Sequence, residues 1–460
     1  MRAVWPVLCL ALAFAAAPAR AQQTAPRHDG PGFVAPNHDV AAPNVVHRQE
    51  RKLPAGAVAL QPLIDATPDG GTLDLKPGVY AAPAVVSRPI TLRGEPGAVI
   101  DGGGVGSLLT LKANQTTVSG VTFRNSGDRH EQTDACVQAR GQFNIVKDNV
   151  FENCLFGVDL QQAHNNIVRR NRITSHDVEE GVRGDAIRIW YSNDVRVEDN
   201  EVTDARDSVI WYSHGVKMTR NSFVGGRYGV HLMYAHGNEV TDNRFVANTV
   251  GVFLMYSNDN LVENNLIRYS QGPAGIGIGF KESSGAKILR NDILANAQGL
   301  FLDASPYEPD ATNLFENNRL AYNGVALLMH SDWDGNIFQG NDFVGNHSTV
   351  RMNSNGGAAR NVWAGNYFDD YQGFDRNRDA IGDTPHEVWS WADRLWADVK
   401  DAQFFRASPS LELLDLVERM ASLVEPQLLL RDPRPRTNPV ATGAQGEFAK
   451  REPMRQARAP

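Results

Sequence analysis

Through the middle of the chain, apolar and polar residues alternate with a period of two in short runs. Turn-forming Gly, Asn and Asp interrupt them every five to eight positions. Period two is the signature of β-strands with one face buried, and runs this short leave no room for a helix between turns. Two neighbouring stretches, GVHLMYAHGNEVTDNRFVAN from Gly229 and GVFLMYSNDNLVENNLIRYS from Gly251, nearly repeat one another 22 residues apart. The same unit recurs around Asn149, Asn171, Asn200, Asn221, Asn243, Asn265, Asn291, Asn318, Asn341 and Asn366, with spacings from 21 to 29 residues. A leucine-rich repeat has a similar period but needs a helix and a regular Leu framework, and this sequence has neither. Three strands per unit predict an all-β solenoid, a right-handed parallel β-helix with a short N-terminal cap and C-terminal α-helices. Each strand pairs with its equivalent one turn later. Longer spacings mark inserted loops. The recurring Asn fits a corner where it adopts left-handed φ and bonds its neighbours in a ladder.

Alternation also assigns faces. Val158 and Leu160, Ile187 and Ile189, Val230 and Leu232, and Val252 and Leu254 read as interior, with Tyr191, Tyr234 and Tyr256 continuing the same parity. The opposite parity is exterior. One outer column then contains Gln161, Trp190, Trp211, Met233 and Met255, and the next contains Asp159, Arg188, Val209, His231 and Phe253.

Residues 1–21 read as a signal peptide: Arg2, the apolar VLCLALAFAAA and an A-x-A site before cleavage at Ala21. Residues 22–55 form a Pro- and Ala-rich extended leader, and 56–370 the β-helix, entered through a short helix from Ala57. Residues 371–386 are a candidate Ca-binding loop, 387–430 carry helical spacing (Leu411, Leu414, Val417 and Leu423 on one stripe), and 431–460 form a disordered tail. No later apolar run is long enough for a membrane span. A formal net charge of −8 argues against a nucleic-acid footprint. After removal of Cys9, Cys136 and Cys154 remain; two independent cysteines are favoured over a disulfide or a two-thiol metal site.

Stacked on consecutive coils, Trp190, Trp211, Met233 and Met255 form an exposed apolar patch suited to partner binding. The competing reading is a stripe covered by an inserted loop. The thioethers of Met233 and Met255, with His231 facing the same way, are soft donors suited to copper(I). Asp375, Asn377, Asp379 and Asp383 alternate as in the front half of a calcium loop, although Ala380 stands where Gly is expected and His386 where Glu would close it. His214 precedes a Gly as in β-helical hydrolases. That chemistry needs paired carboxylates, and only the loop acids Asp177, Glu179 and Glu180 are on offer.

The series GDAIRIWYSNDVRVEDNEV, DSVIWYSHGVKMTRNSF, RYGVHLMYAHGNEVTDNRF and VGVFLMYSNDNLVENNLI, with the later NYFDDYQGFDRNRDAIGDTP, resembles the NosD family of nitrous oxide reductase maturation proteins. The resemblance runs from about residue 56 to 430. It implies a periplasmic, non-enzymatic protein seated on an ABC transporter of NosF ATPase and NosY permease. It further implies transient copper(I) received from the chaperone NosL and passed to the copper–sulfur centre of apo nitrous oxide reductase. The alternative is a β-helical polysaccharide-modifying epimerase, lyase or hydrolase. An enzyme would need acids and bases on the stacked outer columns, where this chain has aromatics and thioethers.

Overall fold

The computed structural model describes residues 50–331, 333–352, 358–390 and 427–440. The expected signal segment, nearly all of the leader and most of the expected C-terminal helical region lie outside them. The described chain winds as a parallel β-helix with three sheets running its length. Sheet I, typified by Ile145–Lys147, has 13 strands; sheet II, typified by Val150–Glu152, has 14; sheet III, typified by Phe156–Gln161, has 12. Each turn visits the sheets in that order, and each strand pairs with its equivalent one turn on, as Val230 does with Val252.

The interior follows from the alternation. Val158, Leu160, Ile187, Ile189, Val230, Leu232, Val252 and Leu254 are all buried, and Met218 packs among them. Phenylalanines stack through the coil, Phe223 on Phe245 at 5.2 Å and Phe343 on Phe368 at 5.1 Å. Burying each such ring is worth about 1.5–3 kcal/mol, so repetition builds one continuous core from units that could not fold alone. At the N-terminal end the helix Leu60–Ala66 places Leu60 and Ile64 in this core.

The Asn residues form the expected ladder, with one difference. Each backbone N–H donates to the next Asn Oδ1 at 2.8–3.1 Å, from Asn149 to Asn366. The left-handed residue is the one before the Asn: Asp148, Arg170, Asp199, Arg220 and Asp242 have φ of 52–57°. That flip turns the Asn side chain inward, where it also satisfies a carbonyl of the coil, as Asn221 does with Val197.

Three expectations are corrected. Cys136 and Cys154 form a disulfide between buried positions, with Cα atoms 5.8 Å apart. The register pairs Val137 with Val158, and the preceding Cys136 meets Cys154. The segment expected to be helical from 387 to 430 begins and ends in strand, since His386–Ser390 pairs antiparallel with Gln427–Asp432. Leu429 and Leu430 join the core there, so burial at the last turn overrides helical spacing at that end. The first residues of the expected disordered tail are also held: Arg436 Nε donates to the Gly365 carbonyl at 2.7 Å, and its Nη2 to Asp342 Oδ1 at 2.6 Å.

Candidate functional site

The outer face of sheet III carries both predicted columns in register. Gln161 pairs with Trp190, Trp190 with Trp211, Trp211 with Met233, and Met233 with Met255. These side chains are half-buried, and the column continues into Lys281 and then Asp303. The neighbouring column runs Asp159, Arg188, Val209, His231, Phe253 in the same register.

The two columns differ in access. Val209, His231 and Phe253 are only 8%, 9% and 7% exposed. Tyr228 stacks on the His231 ring at 4.6 Å, and Phe253 meets that ring edge-on. A strap inserted between sheets II and III, residues 175–184, lies along this edge. It bonds His130 through the Val182 carbonyl at 3.0 Å, and Thr249 Oγ1 donates to Glu180 Oε1 at 3.3 Å. The His231 column is thus buried, while Trp190, Trp211, Met233 and Met255 are half-buried. His231 and Met233 share a face, but His231 is shielded.

Tyr191, Tyr234 and Tyr256 overturn the parity reading, which placed them inside, and Tyr212 occupies the same corner. Each has φ of 47–51°, and this left-handed corner turns the ring outward. Their rings stack at 4.9, 5.1 and 4.9 Å, giving a four-ring ladder beside the Trp–Met ridge. Bulky residues are uncommon at such φ, and ring stacking of about 0.5–1.5 kcal/mol per pair helps to offset the cost. Partial burial, with Tyr256, Tyr212 and Glu282 adding to it, raises the Tyr234 hydroxyl above its ordinary pKa. The sequence signal was present in the triplets WYS, WYS, MYA and MYS: a corner one residue past the alternating run reverses parity.

The polar groups nearby are already committed. Asp159 pairs with Arg140 at 2.7 Å and Asp185 with Arg206 at 3.0 Å. Burial pushes both carboxyls above the usual range, against the pull of those arginines. Asp207 is held by Arg227. His214 and His236 stack at 5.5 Å on the corner between sheets III and I. His236 Nδ1 accepts the Asn258 N–H at 3.0 Å, which puts the neutral ring's proton on Nε2 and removes that atom as a metal donor. The strap acids Asp177, Glu179 and Glu180 belong to the opposite edge of sheet III, so they do not converge on His214.

In the 371–386 loop, Asp375 Oδ2 accepts from the Ala380 N–H, Asp379 Oδ1 from Ile381, and Asp383 Oδ2 from Arg376. Asn377 Nδ2 donates to Asp379 Oδ2. Among the described residues no three His, Cys, Asp or Glu side chains are grouped as a metal site. The calcium expectation therefore rests on sequence spacing. Methionine-based sites fall outside that grouping, and the Met233–Met255 pair is the arrangement on this face suited to a soft ion.

Comparison with known proteins decides the family. A family model described as "Periplasmic copper-binding protein (NosD)" matches residues 174–373. A Pseudomonas aeruginosa protein named "Probable ABC transporter binding protein NosD" is 33% identical over 377 residues, covering 77% of this chain and 85% of that protein. The chain belongs to the NosD family. A Stutzerimonas stutzeri protein of the same name is 30% identical over 387 residues, covering 78% and 85%. The NosD-matched segment contains the whole Trp–Met ridge and the strap acids Asp177, Glu179 and Glu180. Among solved structures, the A-module of the Azotobacter vinelandii mannuronan C-5 epimerase AlgE4 aligns with a TM-score of 0.45 at 18% identity, over 65% of this chain and 95% of that one. The complex of alginate lyase AlyF-OU02 aligns with a TM-score of 0.45 at 12% identity, over 64% and 86%. No helix among the described residues is long and apolar enough to cross a membrane.

Proposed function

We propose that the chain is the periplasmic component of an ABC transporter system that brings copper(I) to the copper–sulfur centre of nitrous oxide reductase, and that it is not an enzyme. In this reading NosY and NosF are its membrane partners, NosL gives it copper, and the apo-reductase receives it. The observation that carries the reading is the in-register pair Met233–Met255 on an open, half-buried ridge, in a chain whose family is described as periplasmic and copper-binding. Two thioethers one rung apart hold a soft cation weakly, which suits an ion that must be passed on. Trp190 and Trp211 supply apolar contact area for the partner, and His231 supplies a nitrogen donor when its cover is displaced. Calcium at Asp375, Asn377, Asp379 and Asp383 would pin the end of the coil and take no part in transfer.

The test is anaerobic copper(I) titration of the mature chain against Met233→Leu with Met255→Leu. Loss of the bound equivalent supports the reading; unchanged stoichiometry and affinity removes the thioethers as ligands. Copurification from detergent-solubilised membranes tests the transporter assignment separately. Absence of an ATPase–permease pair would remove it.

A further inference from the structure

We infer that the ridge face docks a protein whose contact surface is basic around an apolar, sulfur-bearing centre. The inference deepens the proposed copper role and rests on it. The charge arrangement around the ridge is its basis. Between Trp190 and Met255 the open column is uncharged, and so is the adjoining tyrosine ladder. Acids border both long edges of sheet III. On the strap edge stand Asp177 and Glu179, both exposed, beside Glu180. On the tyrosine edge stand Asp194, Asp259, Glu282 and Glu308. Glu282 directly continues the tyrosine column, since its N–H bonds the next rung as those of Tyr234 and Tyr256 do. Glu308 reaches back along this edge to Asn258 Nδ2 at 2.6 Å.

Two cations of the same face are paired with acids. Lys281 is paired with Asp303 at 3.2 Å, and Arg227 with Asp207. Arg183 donates to the Val178 carbonyl and Arg188 to Thr133 Oγ1, bonds that orient the guanidiniums and leave their charge in place. Among the described residues no Lys, Arg or His lies within ion-pair distance of Asp177, Glu179, Asp194, Asp259, Glu282 or Glu308. An apolar centre with a predominantly acidic border is the arrangement that steers a basic partner and fixes its orientation. The same border lowers the energy of an approaching copper cation on the partner's surface, which favours transfer at the ridge over transfer elsewhere on the solenoid.

The experiment uses the mature chain and three synthetic probes under anaerobic conditions. These are a copper(I)-loaded peptide with two methionines flanked by lysines, its glutamate-flanked counterpart, and a lysine peptide without methionine. The lysine–methionine peptide is expected to bind at least about tenfold more tightly than either control, with affinity falling as salt rises. The charge-reversed chain Glu179→Lys with Glu282→Lys is expected to lose most of that preference while its copper(I) stoichiometry stays unchanged. Equal binding of the lysine and glutamate peptides, equal binding of the methionine-free peptide, or indifference to charge reversal would overturn the inference. Should Met233→Leu with Met255→Leu leave copper binding intact while the charge preference persists, the copper reading fails and the basic-partner inference survives.

Discussion

Asp432 takes the place of an asparagine at the end of the ladder: the Asn366 backbone N–H donates to its Oδ2 at 2.8 Å, and Asn366 Nδ2 to the same atom at 2.9 Å. Asp432 comes from the returning strand Gln427–Asp432 and is fully buried. Its Oδ1 also accepts the Arg434 N–H at 3.0 Å. One carboxylate thus satisfies the last rung and fastens the C-terminal clasp. Asp432→Ala leaves buried donors unsatisfied and should cost about 3 kcal/mol, whereas Asp432→Asn keeps an acceptor and should cost about 1 kcal/mol. Thermal or denaturant unfolding measures the difference. Hydrogen exchange should accelerate first in the last two rungs.

The stacked histidines make the tyrosine corner sensitive to acid. Burial, with His214 adding to it, lowers the His236 pKa below the ordinary value of 6.5. The folded chain therefore favours the neutral ring, which accepts the Asn258 N–H. Above pH 6.5 this stability is fully present, and it is lost as pH falls through the depressed folded value. His176 and His386 shift the same way through burial and add to the slope. In the same ladder Asn193 Oδ1 performs the equivalent task for the His214 N–H at 3.0 Å. His236→Asn should then keep the bond and flatten part of the loss as pH falls below about 6.5. Melting temperature against pH for the two chains measures it; identical slopes would remove His236 as the cause.

The Cys136–Cys154 disulfide closes a loop with a sequence separation of 18. A loop of that size is worth about 3 kcal/mol of unfolded-state entropy. Replacing both cysteines with alanine should lower stability by about that amount and leave the ridge and its copper(I) stoichiometry unchanged. A loss of copper binding in this variant would place the thiols in the function.

Ser208 is an inward residue whose Oγ is buried without a hydrogen-bond partner. It sits where the register shifts between Asp207 and Val209, beside a small cavity lined in part by Val202, Phe223, Tyr228 and Asn248. A buried hydroxyl with no partner is a cost, so Ser208→Ala should stabilise the fold by about 1 kcal/mol. Destabilisation of that size would instead mean that a bound water satisfies the hydroxyl.

The coil and its outer columns were legible because period two fixes facing along a strand, and a 22-residue repeat fixes register between strands. Asp159 through Phe253 and Gln161 through Met255 follow from those two rules alone. Facing failed at Tyr191, Tyr234 and Tyr256 because one left-handed residue reverses parity, and alternation carries no information about φ. The shielding of His231 depends on how the Tyr228 and Phe253 rings pack against it, a tertiary fact that no local pattern encodes. The clasp was missed for a related reason. Segments at 386–390 and 427–432 lie far apart in sequence, and Asp432 resembles no part of the repeat it completes.

The most direct test of the central claim replaces the chain in nitrous oxide-reducing cells from which it has been deleted. Reductase copper content and nitrous oxide turnover would be measured with Met233→Ser plus Met255→Ser, normalised to the amount of folded protein. If the open ridge is the working face, both readouts fall at least about tenfold while the melting temperature stays near that of the unaltered chain. Full copper loading with both thioethers gone would contradict the account.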